Sequence, residues 1–193
     1  MPSELKWELR KVSDKLLIKV TSIDKPANKF LRNQREYYMR RMEELDKVLT
    51  RDVKKIDIIV NSIGGSVDSA YGISGAINMI NAKHKYDCRI LIDGCCYSAA
   101  TLIAFQHFGS IYITPNSSVK FHSPHPINPT GSFLEKISQK QTYSLMVSTY
   151  KRRTHKPKKL LKEWIDQGKR FTAKEAVEVG LCDAIMQRYE FDK

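Results

Sequence analysis

The hydrophobic pattern divides the chain into strands and helices that alternate through its middle. Residues 5–23 read as two short strands, Trp7–Val12 and Leu16–Ile23, around a turn at Ser13-Asp14. Lys25-Pro26-Ala27-Asn28 breaks that pattern. A helix is expected from about residue 29 to 50, with Leu31, Tyr38, Met42, Leu45 and Leu49 at helical spacing and Asn28 as its cap. Ile56-Asp57-Ile58-Ile59-Val60 is a β-branched run suited to a buried strand, and Asn61-Ser62-Ile63-Gly64-Gly65-Ser66 closes it with a glycine-rich turn. Ala70, Ile73, Ile77 and Ile80 share one face of a helix over about residues 68–82. Arg89–Ile92 is the next strand, and Gly94 is read as the turn after it. Ser98–Phe105 reads as a buried helix, followed by strands at Ser110–Thr114 and Ser118–His122.

A long helix is expected over about 132–153 and a short one near Lys158–Asp166. Thr172 and Glu175 have the spacing of a capping box for a last small helix, which Gly180 ends. Strands alternating with helices imply parallel pairing and right-handed crossovers. The chain therefore reads as α/β, and its 193 residues suffice for one domain with a real core, taken as 1–193.

Composition excludes little: 41% hydrophobic and 28% charged is ordinary for a globular protein. No apolar run approaches bilayer length, and the N-terminus lacks the apolar stretch of a signal peptide. The four cysteines, Cys88, Cys95, Cys96 and Cys182, form no CxxC and no zinc-like spacing. The expectation is a reduced, cytoplasmic chain without a membrane partner, metal or other cofactor. Net charge is +12, and much of it lies in Lys151-Arg152-Arg153-Thr154-His155-Lys156-Pro157-Lys158-Lys159. A solvated helix end accounts for that run more simply than an anionic partner. No nucleic-acid motif accompanies it, so nucleic acid is not expected as a partner.

Three features carry chemistry. Ser98 follows a strand and a turn and opens an apolar helix, where unpaired N–H groups would stabilise an oxyanion; the Ala99 N–H is one such donor. Taken alone, an ordinary N-cap explains Ser98 better, and the Gly-x-Ser-x-Gly elbow is absent. Gly64-Gly65 can reach positive φ and bring backbone N–H groups close to a ligand, although a lone Gly-Gly is more often a turn, and neither GxGxxG nor a P-loop is present. His122 lies at a strand end beside a proline-rich loop, where a neutral imidazole can serve a serine hydroxyl as base. His125 competes for that role.

Order and context make these features more specific. Asn61-Ser62-Ile63-Gly64-Gly65-Ser66-Val67 resembles the Asn-Ser-Pro-Gly-Gly segment of the ClpP family, with Ile63 in place of proline. Gly94-Cys95-Cys96-Tyr97-Ser98-Ala99-Ala100 resembles its nucleophile segment. The run from Pro115-Asn116-Ser117 to His122-Ser123-Pro124 resembles its base segment. Phe171-Thr172-Ala173-Lys174-Glu175-Ala176, continuing to Gly180-Leu181-Cys182-Asp183, resembles its C-terminal segment. The likeness covers about residues 15–186, in the family's order.

The resemblance implies the ClpP/crotonase-like α/β fold, a repeated β-β-α spiral with a protruding handle helix over about 132–153. It further implies a serine endopeptidase with Ser98 as nucleophile, His122 as base, and Gly65 and Ala99 as oxyanion donors. The family's third residue is an aspartate in the slot that Gly168 fills here; the nearest carboxylate is Asp166. Asp166 orienting His122 from a shifted loop is the expectation, with a Ser–His dyad and an inactive site as alternatives compatible with this sequence. The family forms homo-oligomeric rings, commonly stacked, that admit peptides or unfolded chains handed over by a separate ATPase. A phage-type capsid maturation protease and a catalytically impaired ring subunit are alternatives on the same fold. So is a crotonase-type enzyme acting on an acyl-CoA, though serine with histidine favours acyl transfer through a nucleophile.

Overall fold

The fold was established from a computed structural model, which describes residues 3–26, 42–45, 47–48, 52–84, 86–106, 109–124 and 133–191. Most of the helix expected over 29–50 lies outside these residues, including Asn28, Leu31, Tyr38 and Leu49. Residues 42–45 are helical, and Leu45 is buried in the core.

Strands β1 (Ser3–Val12) and β2 (Lys15–Pro26) form an antiparallel hairpin. Strands β3 (Lys55–Ser62), β4 (Asp87–Tyr97) and β5 (Ser110–Ile113) follow β2 in parallel. Strand β6 (Ser118–Lys120) pairs in parallel with the end of β4 and antiparallel with β7 (Arg170–Thr172). Strand β8 (Ala184–Ile185) is added in parallel to β5, giving an eight-stranded sheet among the described residues.

Helices α1 (Val67–His84) and α2 (Ala100–Phe105) connect the parallel strands. Helices α3 (Phe133–Thr154), α4 (Lys158–Asp166), α5 (Ala173–Glu178) and α6 (Arg188–Phe191) complete the described chain. The α/β reading and its parallel centre therefore stand. None of the described helices is long and apolar enough to cross a membrane.

The core follows from side-chain alternation. Leu16, Ile18 and Val20 of β2, Ile56, Ile58 and Val60 of β3, and Ile90 and Ile92 of β4 point to one face and join Ala70, Ile73, Ile77 and Ile80 of α1 in the main cluster. The opposite face carries Ile59 and Leu91, which the buried Phe191 covers. Asp57 shares the parity of Ile59 and is 1% exposed. It is compensated by Arg89, which donates to both carboxylate oxygens at 2.9 and 2.7 Å, and by Lys15 at 2.9 Å. Arg89 also donates to Phe191 O at 3.0 Å and lies 4.6 Å from the centre of its ring, tying the C-terminal turn to the sheet.

Two sequence boundaries are corrected. Lys25 and Pro26 do not break β2. Pro26 pairs with Ser3 past a bulge, beyond the last residue of β2 that pairs with β3, so a missing N–H there costs only one ladder. Gly94 does not end β4. The strand pairs with β5 as far as Ile92, then with β6 from Cys95, and Gly94 at φ +119 sits at the change of neighbour. A Cβ there would lie 2.6 Å from Asn61 Oδ1, the atom that accepts the Cys95 N–H.

Candidate active site

Parallel register brings the three candidate segments to one edge of the sheet. Ser62 of β3 stands opposite Cys96 of β4, and Cys96 stands opposite Val119 of β6. Two or three residues beyond these partners lie Gly64 and Gly65, Ser98, and His122. All three strands run the same way, so these residues emerge at the same carboxyl end of the sheet, where open α/β sheets present their functional loops.

Ser98 is not the cap of α2, so the ordinary N-cap explanation does not account for it. The cap position is Ala99, and no side chain caps the helix. Ser98 precedes it at φ +54, a left-handed conformation that costs a non-glycine residue about 1–2 kcal/mol. Neighbouring groups hold it there. Its N–H donates to Lys120 O at 3.0 Å, and its carbonyl accepts from Thr101 N at 3.0 Å and Thr101 Oγ1 at 2.5 Å. Thr101 Oγ1 in turn meets the hydroxyl of Tyr150, a fully buried residue of α3, at 2.6 Å. Burial raises the Tyr150 hydroxyl well above the ordinary tyrosine range, so it stays protonated.

Gly64 closes on Ser98 from the other side. It adopts φ +99, and a Cβ built on it would stand 2.6 Å from Ser98 Cβ and 2.7 Å from Tyr97 O. Conformation and space both require glycine here. Its own N–H donates to Ser62 Oγ at 3.1 Å. The next N–H, from Gly65, and the N–H of Ala99 have no hydrogen-bond partner among the described residues. These two donors come from different strand ends, next to the close approach of Gly64 to Ser98, an arrangement able to receive a developing oxyanion.

His122 lies two residues past the end of β6 rather than in the strand, and is half-buried. Its Nδ1 is 2.7 Å from Ser123 O. A carbonyl can only accept, so Nδ1 is the donor in this contact, and in a neutral ring Nε2 would then be the nitrogen with the lone pair, the tautomer a general base requires. Phe121, next to it, fixes this backbone. Its N–H donates to Lys169 O at 2.9 Å, and its ring stacks on Tyr150 at 3.8 Å and 3°. His125 lies outside the described residues.

Asp166 ends α4 and is exposed. Its Oδ1 accepts from Tyr143 Oη at 2.9 Å and Ser123 Oγ at 3.2 Å. Burial, then the Asp166 hydrogen bond and charge, push the Tyr143 hydroxyl up to about 12. Gly168 is at φ +64, and a Cβ there would make only ordinary contacts, 3.8 Å to Lys120 Cε and Phe121 O.

Sequence reasoning missed Thr101, Ser123, Tyr143 and Tyr150. Tyr143 and Tyr150 stand seven residues apart on α3, a spacing that places both on one helix face. That periodicity was the available signal. The basic run from Lys151 to Lys159 closes α3 and opens α4. Within it Arg153 is engaged, donating to Leu181 O at 3.0 Å and Asp183 at 2.7 Å.

An eight-stranded α/β sheet among the described residues, with Gly64-Gly65, Ser98 and His122 at one carboxyl end of its parallel strands, is consistent with the ClpP-like fold. A sequence model of the Clp protease family matches residues 33–189, and the chain belongs to that family. It is similar to the ATP-dependent Clp protease proteolytic subunit 1 of Protochlamydia amoebophila (strain UWE25), 30% identical over 149 residues that span 74% of this chain and 70% of the relative. The subunit of the same name from Chlamydia pneumoniae is 26% identical over 139 residues, 69% of this chain and 71% of the relative. That from Chlamydia caviae is 26% identical over 150 residues, 75% of each.

Proposed function

We propose that this chain is a serine endopeptidase that cleaves peptide bonds through an acyl-enzyme on Ser98. His122 Nε2 takes the Ser98 hydroxyl proton as Oγ attacks the substrate carbonyl. The oxyanion is received by the N–H groups of Gly65 and Ala99. The imidazolium then gives its proton to the leaving amine. Water, deprotonated by the same nitrogen, releases the acid and restores Ser98. Asp166 is the carboxylate that serves this site from two residues before the family's position.

The observation that carries the reading is Ser98 held at φ +54 against Gly64, with the N–H groups of Gly65 and Ala99 left without a partner among the described residues. An ordinary helix cap needs no such strain, and strain concentrates where function over-determines the backbone. The family and the relatives' names support the wider reading. On it the chain is a subunit of a homo-oligomeric ring with α3 as its handle, works on peptides or unfolded chains, and takes them from a separate ATPase.

Labelling with a fluorophosphonate tests the site. Wild type forms a covalent adduct at Ser98, and Ser98→Ala, folded to the same extent, forms none. Equal labelling of both proteins refutes the nucleophile. Absence of labelling in folded wild type favours the impaired-subunit alternative, with Gly168 as its cause.

A further inference from the structure

We propose that Asp166 and Tyr143 are positioning residues that hold the His122 imidazole indirectly, through the two ends of Ser123. This rests on the reading of Ser98 and His122 as nucleophile and base. Ser123 faces both ways: its carbonyl takes the His122 Nδ1–H at 2.7 Å, and its hydroxyl donates to Asp166 Oδ1 at 3.2 Å. The same Oδ1 takes the Tyr143 hydroxyl at 2.9 Å, so the carboxylate is pinned to α3 while it pins Ser123.

Holding the Ser123 side chain controls its carbonyl because Pro124 follows. A residue before proline is confined to extended backbone, which leaves Ser123 few ways to keep its hydroxyl on Asp166 and turn its carbonyl elsewhere. The peptide carbonyl therefore does one part of the work an orienting aspartate does in a complete triad: it fixes the tautomer and the ring. The carboxylate acts one residue removed. The arrangement fits the position of Asp166 at the end of α4 and the lack of a side chain at Gly168.

The substitutions at Asp166 separate this device from a direct triad contact. Asparagine keeps an oxygen that can accept from both Ser123 and Tyr143, whereas alanine keeps nothing. The experiment is the fluorophosphonate labelling rate of Ser98 in the full chain, with each variant's folded fraction checked by circular dichroism. Asp166→Asn is expected to slow labelling by about threefold and Asp166→Ala by about thirtyfold. Ser123→Ala slows it by a factor similar to Asp166→Ala, and the two alanine substitutions together slow it no further, since they break one path. Tyr143→Phe is slower than wild type but adds nothing to Asp166→Ala.

A loss of about a hundredfold or more in Asp166→Asn, equal to that in Asp166→Ala, would show that the charge acts on His122 directly and would overturn the proposal. Multiplying losses in the double variant, or wild-type labelling in Ser123→Ala, would overturn it equally. Wild type that never labels, while remaining folded, removes the Ser98–His122 reading and this proposal with it. Labelling in wild type with failure of the predicted order of variants removes only the proposal.

Discussion

Thr101→Val and Tyr150→Phe break the same buried hydrogen bond but are expected to cost different amounts, because the hydroxyl protons have a fixed direction. Ser98 O can only accept, so the Thr101 proton points to it at 2.5 Å. Tyr150 must then donate to Thr101 Oγ1 at 2.6 Å. Tyr150→Phe removes that donor and leaves a lone pair unused, which costs about 1 kcal/mol; the Phe121 stack survives. Thr101→Val instead leaves the Tyr150 hydroxyl as a fully buried donor with no acceptor, and removes one of the two bonds on Ser98 O. Its cost is about 2–3 kcal/mol. The double variant has no orphaned donor and should cost about 1–2 kcal/mol, less than Thr101→Val alone. Urea unfolding at one fixed protein concentration measures all three, and each kcal/mol corresponds to a shift of about 2–4 °C in Tm for a chain of this size. Fluorophosphonate labelling should fall further in Thr101→Val than in Tyr150→Phe, because only the former loosens Ser98 at φ +54. Equal stability losses for the two single variants, or additive losses in the double, would refute this assignment of protons.

Gly168→Asp places a side chain at φ +64, at a cost of about 1–2 kcal/mol in stability, yet should speed labelling at least about tenfold, a small part of the roughly 10⁴ that an orienting aspartate contributes in a complete triad; an unchanged rate in a folded variant means that a carboxylate at this position does not act on His122. Burial pushes the thiols of Cys88 and Cys182 up to about 12 and that of Cys96 well up, so iodoacetamide at about pH 8 should add at most one group per native chain, at the half-buried Cys95. Intact mass reads this directly, and two or more native adducts refute it. Glu175 is held below its ordinary carboxylate range, first by the Thr172 backbone N–H and then by the Thr172 hydroxyl. Its stabilising effect is therefore present above the unfolded carboxylate value of about 4.3 and lost as pH falls through the folded one. Glu175→Gln should lower Tm at about pH 7 and converge on wild type in acid; a gap that persists there contradicts the assignment.

Local signals were legible in the sequence wherever they did not depend on a distant neighbour. The face of α1 was visible as Ala70, Ile73, Ile77 and Ile80, all of them buried. The capping box at Thr172 and Glu175 needs only its own four residues, and both of its hydrogen bonds are formed. The glycines, Ser98 and His122 were visible as segments in a known order. The passage of β4 through Gly94 was not, because the glycine answers a change of neighbour from β5 to β6 and a side chain from β3, all remote in sequence. Strands β7 and β8 and helix α6 are two to four residues long, too short for any period to register. The hydrogen bonds of Ser123, Asp166, Tyr143 and Tyr150 depend on how α3 and α4 dock, which no local pattern encodes.

The same docking explains how a carboxylate two residues before Gly168 comes to bond Ser123. Strands β6 and β7 pair antiparallel with Lys120 opposite Arg170, and the Phe121 N–H reaches Lys169 O just beyond the ladder. Continued by one residue, that pairing sets His122 against Gly168, where an aspartate would face the imidazole. This chain instead uses the left-handed turn at Gly168, φ +64, to leave α4 and enter β7. Asp166 is thereby left on the last residue of the helix, within reach of Ser123. Removing the side chain at Gly168 and bonding Asp166 to Ser123 are thus two sides of one local geometry. A variant that restores the aspartate should make Ser123 dispensable: Ser123→Ala, costly alone, should lose most of its effect on labelling in the Gly168→Asp background. If it remains as costly there, the carbonyl and the carboxylate are not alternatives for the same proton.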